Sequence, residues 1–155
     1  MKTPAERGNE GGNTTALLVI GYGNGLRSDD GIGPKTAEAV AEWDLPGVRT
    51  LSCHQLTPEM AVPIAATQRV VFVDAAVNSN SVDLYELEPA SPDQIMAHAP
   101  DPCQLLKLAK EIFGRTPAAF LITIPAENLD FGEKISARAL EGSREALKKI
   151  RELLE

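Results

Sequence analysis

Three side chains far apart along the chain have the chemistry to share one divalent cation: Asp30, Asp74 and His98. Asp30 lies in a turn rich in Gly, Asn and Asp that follows the apolar run Ala16 to Ile20, and Asp74 ends a second such run, Val70 to Val73. His98, one of only two histidines, stands just before a helical stripe that starts at Leu105. Two hard carboxylate oxygens and one imidazole suit a borderline ion such as nickel or zinc and leave positions open for water or substrate. Each residue has a plainer reading. Asp29 or Asp30 could cap the helix that follows, Asp74 could simply end a strand, and a lone histidine is more often a surface residue than a ligand. The inference rests on the three together.

Other chemistries fit less well. Gly21 and Gly23 open a dinucleotide fingerprint, but Leu26 stands where its third glycine belongs. A pyrophosphate at the next helix would also meet Asp29 and Asp30, and two like charges about 4 Å apart cost roughly 4 kcal/mol at an effective dielectric near 20. A phosphate-cradling P-loop fails because Pro34 precedes Lys35 and Thr36 where glycine is needed. No Gly-x-Ser-x-Gly elbow and no His-Glu-x-x-His helix occurs. Cys53 and His54 are neighbours at the end of an expected strand, so their side chains point to opposite faces and cannot form a nucleophile–base pair.

The elements that must position these residues follow from apolar spacing. Residues 16–21 form a short continuous apolar run ending in glycine, as expected of a strand buried on both faces of a parallel sheet. Ile32, Thr36, Ala39, Val40 and Trp43 recur at helical spacing, which predicts a helix from about Gly31 to Trp43. Val48 to Cys53 is the second strand, Pro58 opens a helix carrying Met60, Ile64 and Ala65, and Val70 to Asp74 is the third strand. Connections of that length between successive strands require parallel neighbours and right-handed crossovers. Val82 to Leu87, with Asp83 and Glu86, reads as an edge strand. Leu105, Leu108, Ala109, Ile112 and Phe113 make a helical stripe closed by Gly114. Ala118 to Ile124 is the last core strand, and Leu140, Leu147, Ile150 and Leu154 mark one face of a C-terminal helix. The expected fold is therefore three-layer α/β, a mostly parallel twisted sheet of about five strands with helices on both faces. Ligands bind such sheets beyond the carboxyl ends of the strands, where Asp30 and Asp74 fall.

Size and charge narrow the function classes. The 155 residues, 43% of them hydrophobic, suit one domain spanning residues 16–155 after a polar tail, residues 1–15, expected to be disordered. With 15 basic and 22 acidic residues the net charge is -7, which repels a phosphate backbone, so nucleic acid is not an expected partner. The apolar runs are far shorter than the roughly 20 residues of a membrane span, and the first fifteen residues contain no signal-like apolar stretch. Two separated cysteines give neither a disulfide framework nor a Cys-rich zinc site, so a reducing, cytoplasmic setting is expected. A monomer is the default expectation.

Residues 21–33, running Gly-Tyr-Gly-Asn-Gly-Leu-Arg-Ser-Asp-Asp-Gly-Ile-Gly, then Val71 to Ala75, then His98 with Leu105 and Leu106 downstream, resemble the [NiFe]-hydrogenase maturation proteases. The resemblance covers roughly Leu17 to Leu154. It implies an endopeptidase that trims the C-terminal extension of a hydrogenase large-subunit precursor already loaded with nickel. It also implies that Asp30 and Asp74 match the two acidic ligands and His98 the histidine. Nickel would arrive with the substrate, and another divalent metal could occupy the same ligands. Those ligands would complete the coordination of the substrate's nickel, so that an unloaded precursor is ignored. A water activated by Asp30 or Asp74 would attack the scissile peptide, which the metal would position and could polarise, with carboxylate and metal both open as the activator.

Residues 54–59, running His-Gln-Leu-Thr-Pro-Glu, resemble the version of this loop in the proteases that serve soluble bidirectional hydrogenases, which makes His54 a candidate substrate contact. A turn with Thr57 capping and Pro58 in first position accounts for the same residues without a function. Asn24 is a second candidate contact, able either to orient its loop or to meet the substrate backbone. The rival reading from another class is a non-catalytic α/β module that binds a metal or a nucleotide at the same rim. A different metal-assisted hydrolase on a similar sheet is a third, since fold alone does not fix a reaction.

Overall fold

The structure is a computed structural model that describes residues 15–94 and 99–155. It opens with strand β1, Thr15–Tyr22, followed by a 3-10 turn, Ser28–Gly31, that leads directly into helix α1, Ile32–Ala41. Strand β2 is Val48–Cys53, and a second 3-10 turn, Pro58–Met60, precedes the short helix α2, Ala61–Ala65. Strands β3, Thr67–Ala76, and β4, Asp83–Leu87, come next. Helix α3, Pro102–Phe113, strand β5, Ala118–Pro125, and helix α4, Ala137–Leu154, complete the chain.

The five strands lie in the order β2-β1-β3-β5-β4, parallel except for β4, which pairs antiparallel with β5 at the edge. Successive residues of a strand face opposite sides, so the continuous apolar runs feed two cores. Leu17, Val19, Val71, Val73, Ile122 and Ile124 pack with α1 and α4, whereas Leu18, Ile20, Val70 and Phe72 pack with α2 and α3. The three-layer architecture is the expected one. Strand β1 begins at Thr15, whose amide donates to the Ala66 carbonyl at 3.0 Å, so this residue belongs to the sheet and not to a tail. The rest of the expected tail, residues 1–14, lies outside the described residues.

Two helices bury most of the expected apolar residues, Ile150 with Leu147 and Leu154 beside it in α4 and Leu105, Ala109 and Leu108 in α3, but leave one end of each stripe exposed. In α4 the buried residues are Ala139, Gly142, Ser143, Ala146 and Ile150, while Leu140 is 42% exposed. A Cβ on Gly142 would stand 2.7 Å from Ile124 Cγ2 and 3.3 Å from Val82 Cγ2, so the close approach of α4 to the sheet admits only small residues there. On that face the Ser143 hydroxyl lies 2.7 Å from Thr36 Oγ1, and Thr36 in turn donates to the Ile32 carbonyl, so both buried hydroxyls are satisfied. In α3 the buried residues are Leu105, Leu106 and Ala109, and the end of the expected stripe, Ile112 and Phe113, is exposed. The ends of α3 do follow local rules. Asp101 and Gln104 form a capping box, Pro102 occupies the first turn, and Gly114 closes the helix at φ 75°.

Candidate active site

Strand order reverses between β1 and β3, because the chain leaves β1 for β2 on one side and returns to β3 on the other. Such a switch point opens a crevice at the carboxyl ends of the strands. The two strands are in register with Gly21 opposite Val73, so the next residues, Tyr22 and Asp74, emerge side by side into that crevice. Both are half-buried.

Asp30 reaches the same place by a folded-back turn. At Gly23 the backbone takes φ 148°, and a Cβ there would lie 2.0 Å from the Asp30 carbonyl, so a side chain would drive the turn off the strand end. The Asn24 amide donates to Asp30 Oδ2 at 2.7 Å, and Asn24 Oδ1 accepts from the Leu26 amide at 2.9 Å. Asn24 thus orients the loop through both its backbone and its side chain. Behind the turn, α1 starts against the strand ends, where a Cβ on Gly33 would meet the Val73 carbonyl at 2.5 Å and the Tyr22 carbonyl at 2.6 Å.

Burial pushes the Asp74 carboxyl up, the Ala75 amide (2.8 Å from Oδ1) and the Tyr22 hydroxyl pull it down, and the charge of Asp30 pushes it up again, leaving it at about 6. The Tyr22 phenol is raised far above its ordinary value, chiefly by burial and then by Asp74. Asp74 therefore senses Asp30 as a like charge and titrates near neutrality. Such a pair can relay a proton to and from water, or bind a cation that relieves the repulsion.

Asp29 does something else. It is 0% exposed, its Oδ2 accepts from the amides of Glu127 (2.8 Å) and Asn128 (3.3 Å) and from the Ser136 hydroxyl (2.8 Å), and its Oδ1 accepts from the Ser136 amide at 2.7 Å. Burial works to raise its pKa, but the bonds from Ser136, Glu127 and Asn128 outweigh it and hold the carboxyl below the usual range. Neither aspartate caps the following helix. Gly31 is the N-cap of α1, and no side chain bonds there or at Arg27, which precedes the 3-10 turn.

The structure thus brings Asp30 and Asp74 together, while His98 lies outside the described residues. His54 follows β2 on the same carboxyl rim, next to β1, and is exposed. Thr57 stands at the N-cap position of the Pro58 turn without a side-chain cap bond; its hydroxyl pairs with Glu59 instead. Burial raises the half-buried Cys53 thiol, the opposite of what a nucleophile needs. Tyr22 has no charge that marks it in the sequence, although its place beside Asp74 follows once the two apolar runs are aligned as neighbours.

Among the described residues no group of three or more His, Cys, Asp or Glu side chains gathers to hold a metal ion. Asp30 and Asp74 alone offer two hard oxygen ligands, which fits a cation whose other ligands are brought by something else. A separate groove of about 390 Å³, lined in part by Glu88, Pro92, Lys107 and Lys110, lies toward the other edge of the sheet, where β4 ends against the start of β5.

No family model and no curated protein matches the chain. Solved structures do. The [NiFe] hydrogenase maturation protease HycI from Thermococcus kodakarensis KOD1 aligns with a TM-score of 0.71 and 25% identity over 98% of this chain and 99% of its own. The chain has the fold of the [NiFe]-hydrogenase maturation proteases. HybD from Thermococcus kodakarensis, with a TM-score of 0.69 and 21% identity, covers 90% of this chain and 99% of its own. The maturating endopeptidase HybD from E. coli, with a TM-score of 0.69 and 19% identity, covers 87% of this chain and 89% of its own. The resemblance read from the Gly21 to Gly33 and Val71 to Ala75 motifs is thereby borne out, and both motifs fall at the switch point of the maturation-protease sheet. Among the described residues, no helix of this maturation-protease fold is long and apolar enough to cross a membrane.

Proposed function

We propose that the chain is a cytosolic endopeptidase that removes the C-terminal extension of a nickel-loaded [NiFe]-hydrogenase large-subunit precursor. The observation that carries this reading is the Asp30 and Asp74 pair, fixed at the switch point by the Gly23 turn and by the ends of β1 and β3. The precursor's tail lies across the carboxyl rim with its scissile carbonyl over the crevice. One carboxylate of the pair takes a proton from water as the water oxygen bonds to the carbonyl carbon. The C–N bond then breaks, and the same proton passes to the leaving amine. Asp74, raised by burial and by Asp30, is suited to hold that proton near neutral pH. The nickel is cargo: it arrives on the precursor, and Asp30, Asp74 and His98 supply ligands that recognise it. A precursor without nickel presents nothing for two repelling carboxylates to close on, which makes loading a condition of cutting.

The test is to incubate the protein with large-subunit precursor, with and without nickel, and to weigh the product by mass spectrometry. Wild type is expected to shorten only the loaded precursor, and Asp30→Asn and Asp74→Asn to lose cleavage by about a hundredfold or more. A loaded precursor left at full length by the wild type would overturn the assignment. Retained metal binding without cleavage would favour the rival reading, a binding module.

A further inference from the structure

The turn that carries Asp30 is sewn to a second loop. The Ser28 amide donates to the Gly132 carbonyl at 2.7 Å, the Gly132 amide donates to the Leu26 carbonyl at 2.7 Å, and the Asp29 amide donates to the Asn128 carbonyl at 2.9 Å. Ser28 Oγ donates to the Asp130 carbonyl at 2.8 Å, and Arg27 bridges Gly132 in the manner of two parallel strands. The buried Asp29 carboxylate closes the far end through Glu127, Asn128 and Ser136. On this doubly bonded rim two large apolar side chains face water: Phe131, 87% exposed, and Leu26, 51% exposed. Loops usually keep large apolar groups inward or move freely, and this one is fixed by bonds on both flanks while presenting an aromatic outward. Rigid, exposed aromatic anchors are where binding energy concentrates, because little conformational freedom is lost when they are covered.

We infer that Leu26 and Phe131 seat an apolar side chain of the precursor's tail beside the peptide bond to be cut. This rests on the endopeptidase reading above. Continuity with the site favours that occupant. Leu26 belongs to the Asp30 turn, and Asn24 bonds both the Leu26 amide and the Asp30 carboxylate, so a peptide lying over Asp30 passes Leu26. Size favours it too, since two side chains fall far short of the roughly 800 Å² per partner that a stable protein interface buries, yet suffice for one residue of an extended segment. Charge does not decide the occupant, because Glu127, Asp130 and Glu133 are exposed around the loop together with Arg27 and Lys134, so the choice rests on continuity and size.

The experiment compares kcat and KM on nickel-loaded precursor for wild type, Leu26→Ala with Phe131→Ala, Phe131→Leu alone, and Ile112→Ala, a control that removes a similarly exposed apolar group on α3. The double variant is expected to raise KM about tenfold with kcat within about twofold, Phe131→Leu to restore most of the affinity, and Ile112→Ala to match wild type. A double variant with unchanged KM, in a preparation whose wild type cuts, overturns this inference and leaves the endopeptidase reading standing. A wild type that cuts nothing overturns both. Wild type that self-associates, and stops doing so in the double variant, would hand the patch to a second copy of the chain and also overturn the inference.

Discussion

Asp29 and Asp30 are adjacent in the chain, yet their carboxylates do opposite work. That of Asp29 is fully buried and accepts from three amides and a hydroxyl of the loop before α4, whereas that of Asp30 accepts from the Asn24 amide and lies within electrostatic reach of Asp74. One short 3-10 turn separates the two roles, because rotation by one residue moves a side chain by about a third of a turn.

Asp29→Ala should therefore damage the fold and Asp30→Ala the activity. Losing a buried, four-bonded carboxylate leaves three amides and a hydroxyl unpaired and should cost about 3 kcal/mol, lowering the melting temperature by roughly 10 °C in a domain of this size. Asp30→Asn should leave the melting temperature within about 2 °C of wild type and abolish cleavage. Thermal denaturation followed by circular dichroism, beside the cleavage assay, checks both. Equal melting temperatures for Asp29→Ala and wild type would show that the bonds to Glu127, Asn128 and Ser136 do not hold the loop.

Asp29 and Asp74 give stability opposite dependences on pH. Asp29 has a folded pKa below its unfolded value, so its contribution is present above about pH 4 and is lost as pH falls through the lower folded value. Asp74 has a folded pKa raised to about 6, so the folded state keeps its proton longer than the unfolded chain, and stability falls as pH rises between about 4 and 6. The ceiling on that loss is about 3 kcal/mol, reduced to about 1–2 kcal/mol because the group is partly open to solvent. Asp74→Asn should then be more stable than wild type at pH 7.5 by about 1–2 kcal/mol and equally stable near pH 4, although it cannot cut. Urea denaturation at the two pH values measures it, and parallel pH curves for variant and wild type would contradict the burial of Asp74.

The glycines of the turn divide sharply. Gly33→Ala would place a Cβ 2.5 Å from the Val73 carbonyl, and Gly21→Ala one 2.0 Å from the Gly33 carbonyl, so either should push α1 off the strand ends and remove both stability and cleavage. Gly25→Ala meets nothing within 4 Å and should behave as wild type. Soluble expression and the melting temperature of the three variants decide the point, and a folded, active Gly33→Ala would mean that α1 tolerates displacement.

Asp74 was legible in the sequence because it closes an apolar run, and Asp30 because the Gly-, Asn- and Asp-rich turn that carries it follows another. A buried parallel strand reads as a continuous apolar run, and the first polar residue beyond it must surface at the carboxyl edge. What is less legible is Tyr22, which closes such a run as Asp74 does but carries no charge to draw notice. His98 had only the helix after it as a guide.

By itself the sequence determined the parallel core strands, the edge position of β4 and the Gly114 end of α3, since each follows from apolar runs, charge or a capping residue within a few positions. Only the tertiary structure decided which aspartate is structural, because Asp29's partners stand 98 to 107 residues away and no local pattern distinguishes it from Asp30. It also decided where the buried face of α4 is centred. Ile150, Leu147 and Leu154 lie against the core as their spacing predicts, but Leu140 does not, because helix and sheet approach so closely at Gly142 that size, which depends on the neighbour across the interface, outweighed hydrophobicity.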